Sequence, residues 1–122
     1  MSHFSYISTK IQNIQYLKKA LLNLDIQFVI QNSPVKLNNS NLVISQNNGY
    51  DVEFNWNGKE YELITDLSFW QQKWSVETFM DKLKQTYANE TIVNESEKQG
   101  FQKIRQSNNN NGEISILFER WK

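Results

Sequence analysis

The run Asn48-Gly49-Tyr50-Asp51-Val52-Glu53-Phe54-Asn55-Trp56-Asn57-Gly58-Lys59-Glu60-Tyr61-Glu62-Leu63-Ile64 alternates apolar and polar side chains between two Asn-Gly pairs. In an extended chain successive side chains point to opposite faces, so Tyr50, Val52, Phe54 and Trp56 share one face and Asp51, Glu53 and Asn55 the other. Strict alternation of this kind predicts a strand with one face packed and one in water. Each Asn-Gly pair supplies two residues that tolerate positive φ, as the type I′ hairpin turn requires. Leu42-Val43-Ile44-Ser45 precedes the first pair and 59–64 follows the second. The whole therefore predicts a three-stranded antiparallel meander.

Outward from the meander, the N-terminal side offers Phe4, Tyr6 and Ile7 as a short strand and Asn13 as a helix cap. Ile14, Leu17, Leu21 and Leu24 then recur at helical spacing, with Lys18 and Lys19 assigned to solvent. Asp25 ends that helix, and Ile26-Gln27-Phe28-Val29-Ile30 reads as a strand. A polar loop over 32–41 holds the only proline, Pro34. On the C-terminal side, Leu67 to Trp74 fits neither period and reads as a connecting loop or a short turn of helix. Ser75 is a good N-cap, and Glu77 follows in the first turn, where a helix dipole favours an anion. Val76, Phe79, Met80, Leu83 and Tyr87 mark a second helix continuing to Lys98, with Gly100 just past its end. Phe101 to Arg105 and Ile114 to Arg120 make a last hairpin across an Asn-rich loop ending in Asn111-Gly112. The order β-α-β-β-β-β-α-β-β predicts an α+β fold, a mainly antiparallel sheet with two helices packed on one face, in a single domain 1–122.

Bulk properties exclude several functions. A chain of 122 residues buries enough surface to fold without a disulfide or a metal, and it has no cysteine for thiolate chemistry. Thirteen basic residues balance thirteen acidic ones, which gives no net attraction to nucleic acid or anionic membrane. No apolar run suffices for a membrane span, and the first residues lack the pattern of a secretory signal or an arginine-rich transit peptide.

Four features bear on function. His3 is the only histidine, and with no second one to support a zinc site it reads as incidental. Asp51, Glu53, Glu60, Glu62 and Asp66 gather around the Asn57-Gly58 turn. Such carboxylates can do acid–base work or hold a hard cation, and with Trp56 they could line a ligand pocket; they also suit a solvated outer sheet face. Whether the faces of neighbouring strands coincide depends on the register. Phe69, Trp70 and Trp74, bridged by Gln71, Gln72 and Lys73, are large rings in an aperiodic segment. They suit either a partner-binding surface or a plug for the end of the core. Lys73, Lys82 and Lys84 form a modest basic patch without an RNA-binding motif, so no nucleic-acid role is expected. No catalytic residue, metal or cofactor is expected.

A set of short motifs in sequence order carries a family resemblance. Met1-Ser2-His3-Phe4-Ser5, Leu17-Lys18-Lys19-Ala20-Leu21 and Asn48-Gly49-Tyr50-Asp51 come first. Trp56-Asn57-Gly58-Lys59-Glu60-Tyr61-Glu62-Leu63, Asp66-Leu67, Trp70-Gln71-Gln72 and Trp74-Ser75-Val76-Glu77 follow. Lys98-Gln99-Gly100-Phe101 and Arg120-Trp121 close the set. Together they resemble the hypothetical chloroplast reading frame thirty-five family of algal plastids and cyanobacteria, across essentially the whole chain. The resemblance implies synthesis and residence in the plastid, in the chloroplast stroma, and carries over no catalytic residue. The expected function is that of a non-enzymatic accessory or assembly factor binding another protein through Phe69, Trp70 and Trp74. The alternative is a small-molecule- or metal-binding protein using Asp51, Glu53, Trp56, Glu60 and Glu62.

Overall fold

A computed structural model describes residues 3–32, 40–108 and 114–120. Its elements are β1 (Ser5–Ser8), α1 (Ile14–Asn23), β2 (Val29–Asn32), β3 (Ser40–Ile44), β4 (Val52–Trp56), β5 (Tyr61–Thr65), a 3-10 turn (Leu67–Phe69), α2 (Val76–Lys98), β6 (Phe101–Asn108) and β7 (Ile114–Arg120). Five strands form one sheet in the order β1-β5-β4-β3-β2, every neighbouring pair antiparallel. The expected meander is there and is longer than expected, because β2 adds to it at one edge. β1 closes the other edge against β5. The C-terminal hairpin β6–β7 forms a two-stranded sheet of its own.

The alternation in β4 produces the two faces. Leu42, Phe54 and Leu63 are register partners across three strands and are fully buried. Leu17 and Leu21 from α1 and Phe79 and Leu83 from α2 pack into the same core, so both helices cover this inner face. Asn13 caps α1 as its sequence predicts, its Oδ1 accepting from the backbone N–H groups of Gln15 (2.9 Å) and Tyr16 (3.1 Å). Ser75 caps α2, its Oγ accepting from Thr78 N–H at 3.3 Å. The helices meet through a polar seam. Tyr16 donates to Glu95 at 2.7 Å, Lys98 donates to Tyr16 at 3.2 Å, and Lys19 donates to Asn94 at 2.7 Å. The hydroxyl of Tyr16, with the ammonium of Lys98 behind it, holds the Glu95 carboxyl below the usual carboxylate range.

Three local expectations change. The strand expected over 26–30 begins only at Val29, because Ile26 N–H closes the end of α1 on Leu21 O at 2.9 Å and Asp25 takes a left-handed φ of 59°. Neither Asn-Gly turn is type I′, since Gly49 (φ 80°) and Gly58 (φ 102°) have positive φ but Asn48 and Asn57 do not. The asparagines work through their side chains instead. Asn48 Oδ1 accepts from Tyr50 N–H at 3.0 Å, and Asn57 Oδ1 from Lys59 and Glu60 N–H at 2.8 and 2.9 Å. Third, Lys18 is half-buried rather than solvated. The expectations for Pro34, Asn111-Gly112 and Trp121 lie outside the described residues.

Candidate functional site

The β3–β4 connection and the aromatic segment 69–74 are far apart in sequence and are tied together by two side chains, Gln46 above all and Asn48. Gln46 Nε2 donates to Phe69 O at 3.0 Å and to Tyr50 O, while its Oε1 accepts from Gln71 N–H at 2.7 Å and Gln72 Nε2 at 3.0 Å. Its own N–H is held by Asp51 Oδ1 at 3.1 Å, and its carbonyl accepts from Gly49 N–H at 3.0 Å. Asn48 Nδ2 adds a second bond to Phe69 O at 2.9 Å. Both amides are thus spent on holding the segment against the end of the sheet.

Held in this way, Tyr50 and Phe69 stack face to face, centroids 3.8 Å apart and planes 5° from parallel. Both rings are 39% exposed, and Leu67 beside them in the chain is 47% exposed. Buried rings would have returned this segment to the core; the structure instead divides it. Phe69 faces water. Trp70 is half-buried, meets the fully buried Phe79 edge-on at 5.2 Å and donates Nε1–H to Trp74 O at 2.7 Å. Trp74 is also half-buried against the core, with Lys73 Nζ and Lys82 Nζ 5.3 and 5.2 Å from its ring centroid.

An open cleft of about 270 Å³ lies alongside, between the α1–β2 turn, the end of β3 and residues 71–74. Asp25, Gln27, Ser45, Asn47, Gln72 and Trp74 contribute to its lining, and Asp25 Oδ2 stands 4.0 Å from Lys73 Nζ. Asp25 and Lys73, of opposite sign, are the charged residues of its lining. Gln46 was not singled out by sequence reasoning, and neither was Tyr50 as the partner of Phe69. Gln46→Ala is expected to cost about 1–2 kcal/mol, since water replaces part of what its bonds provide. Amide hydrogen exchange should quicken at 69–72 and stay unchanged at the centre of β4.

The carboxylates are distributed differently. The register pairs Glu53 with Ile64 and Asn55 with Glu62, so Glu53 and Glu62 share the outer face of the sheet. Trp56 pairs with Tyr61 and lies on the inner face, its ring edge-on to that of Tyr61 at 5.1 Å. Burial raises the pKa of the Tyr61 hydroxyl and keeps it neutral. Asp51 and Glu60 sit in the connections: Asp51 holds Gln46 N–H, and Glu60 accepts from Ser8 Oγ. Asp66 is buried and caps the 3-10 turn, accepting from Ser68 N–H at 3.0 Å. No group of three or more His, Cys, Asp or Glu side chains among the described residues could hold a metal ion. His3 is exposed. Among the described residues no helix is long and apolar enough to cross a membrane.

Comparison with known proteins adds a family. The profile described as "Protein of unknown function (DUF1257)" matches residues 20–117. The chain is 48% identical to the "Uncharacterized protein ycf35" of Trieres chinensis, covering 97% of each chain. It is 42% identical to that of Guillardia theta, over 100% of this chain and 99% of the relative. The corresponding protein of Pyropia yezoensis is 40% identical, over 99% of this chain and 98% of its own. No solved structure matches.

Proposed function

The chain belongs to the DUF1257 family together with the ycf35 proteins, and from that premise we propose that it is a non-enzymatic accessory factor that binds another protein through the surface around Phe69. One observation carries this reading: Tyr50 and Phe69 form a stacked, exposed aromatic pair whose supporting backbone is fixed by Gln46 and Asn48. Large rings left in water and held in one conformation have little to gain for folding. They have much to gain for binding, since a rigid aromatic anchor loses little entropy on docking. Trp70 and Trp74, the next two rings of the segment, are half-buried against the core.

The sequence-based resemblance extends the proposal to place: a plastid protein, acting in the stroma. The experiment is capture from plastid extract. Wild-type protein is expected to retain a stoichiometric partner, and Phe69→Ala to lose it while keeping its circular dichroism spectrum and losing less than about 1 kcal/mol of stability. A partner held equally well by Phe69→Ala would remove the site. The carboxylate alternative has less support, because the sheet separates Trp56 from Glu53 and Glu62.

A further inference from the structure

The sheet ends at β1 with an edge that its own chain leaves open. β1 lies outermost in the five-stranded order and pairs with β5. Among the described residues no other element makes a backbone hydrogen bond to Ser5, Tyr6, Ile7 or Ser8. The register puts Tyr6 in one outer-face row with Ile64, Glu53, Val43 and Val29, away from the helices. Tyr6 is 64% exposed, and Phe4, two residues earlier and so on the same side of an extended chain, is 54% exposed. At the opposite edge, β2 presents Val29 as its one exposed large apolar side chain among the described residues. Natural proteins blunt open edges with charges, proline or a bulge. From Phe4 to Thr9 the chain has neither a charge nor a proline, and the β1–β5 register runs without a shift.

We propose that β1 pairs antiparallel with β1 of a second copy of this chain, about a two-fold axis at Ser5, so that two five-stranded sheets become one. In that register Ser5 faces its own copy, Phe4 faces Tyr6 of the second copy, and Tyr6 faces its Phe4. Opposed residues of antiparallel strands point to one face, so the four rings meet on the outer face as cross-strand aromatic pairs. A two-fold contact sets a surface against itself, so a charge near the axis would meet its own copy; this strand has none. Area points to the same occupant. An aromatic side chain carries about 150–250 Å², so the two exposed rings of one protomer offer only about 250 Å². The two-fold doubles that, and the backbones of both strands add to it. The sum stays below the roughly 1,200 Å² of a standard interface, and β1 is only four residues long. The dimer is therefore weak, with a dissociation constant on the order of 10 µM. It uses none of the residues of the partner surface around Phe69 and stands independently of that reading.

The test is sedimentation equilibrium of the full chain up to about 500 µM, joined to cross-linking of single-cysteine variants. The chain has no cysteine, so each introduced thiol is the only one. The wild-type mass is expected to rise from that of the monomer towards twice that value and no further. Tyr6→Arg, which sets a charge beside its own copy, should weaken the dimer at least about tenfold. Directly opposed residues of an antiparallel pair have Cα atoms about 4.5–5.5 Å apart, within disulfide reach. Ser5→Cys should therefore give a disulfide-linked dimer under mild oxidation with copper phenanthroline, whereas Ser8→Cys and Val29→Cys should not. Circular dichroism should show all variants folded. A wild type still monomeric at about 500 µM overturns the proposal. So does cross-linking of Val29→Cys in place of Ser5→Cys, which moves the contact to β2. A mass that climbs past the dimer also overturns it, because β1 then adds to β2 head to tail. If the wild type stays monomeric, and Tyr6→Arg loses a protein from plastid extract that Phe69→Ala retains, the edge belongs to that protein and not to a second copy.

Discussion

Trp70→Ala is expected to lower stability by about 3 kcal/mol, whereas Phe69→Ala, one residue earlier, should cost less than about 1 kcal/mol. The two rings are neighbours in sequence and opposites in environment. Trp70 loses an edge-on contact with the buried Phe79 and the bond that its Nε1–H makes to Trp74 O, and a cavity opens under the connecting segment. Phe69 loses a stacking partner on a face that water already reaches. Urea unfolding of both variants measures the contrast. Equal destabilisation would mean that the stacked pair belongs to the core, and that Phe69 is no free anchor. The contrast also determines which variant can report on binding. A partner lost on Trp70→Ala can be lost through unfolding, so Phe69→Ala is the informative substitution.

Much of the fold was legible because its signals are local. The alternation in 50–56 placed Val52 and Phe54 inward, Asn13 and Ser75 marked two helix starts, and the glycines of both Asn-Gly pairs do take positive φ. What escaped depends on distance along the chain. Gln46 sits in a Gln-Asn-Asn run that resembles turn filler, and its partners Phe69, Gln71 and Gln72 lie 23, 25 and 26 residues away. Nothing in a single sequence pairs them. Tyr16 was missed for a related reason. Its burial depends on Tyr87, whose ring lies 6.4 Å away, and on Glu95 of the other helix. Its position one turn before the small Ala20 was the only local hint. The basic residues show the same limit: Lys73 and Lys82 read as a diffuse patch until the fold brings both to one ring.

The aromatic segment was legible as a choice between surface and core, and the structure gives part to each. Tryptophan and phenylalanine in an aperiodic run say that apolar area must be accommodated, not which ring takes the outward position. That assignment follows from the 3-10 turn. Asp66 caps it, Trp70 ends it in an extended conformation, and the chain then directs Trp70 toward Phe79 while leaving Leu67 and Phe69 outside.

Phe54→Ala should be the most damaging single truncation in the meander, at about 4 kcal/mol, a large share of the 5–15 kcal/mol by which natural proteins are stable. Phe54 is fully buried on the central strand of the five-stranded sheet, opposite Leu42 on one side and Leu63 on the other, and Phe79 and Leu83 belong to the same core. A cavity there is enclosed by two strands that pair through the backbone, so it has little freedom to collapse. Glu53→Ala, one residue away on the outer face, should change stability by no more than about 0.5 kcal/mol. Urea midpoints of the two variants therefore read the register directly, because a slip of one residue would exchange their effects. The same pair bears on the carboxylate alternative. If Glu53 and Glu62 held a cation or a small ligand on the outer face, adding that ligand would stabilise the wild type and Phe54→Ala alike and leave Glu53→Ala unmoved. If no ligand shifts any midpoint, the carboxylates act as the solvated face of a half-buried sheet, and binding is left to the surface that Gln46 holds in place.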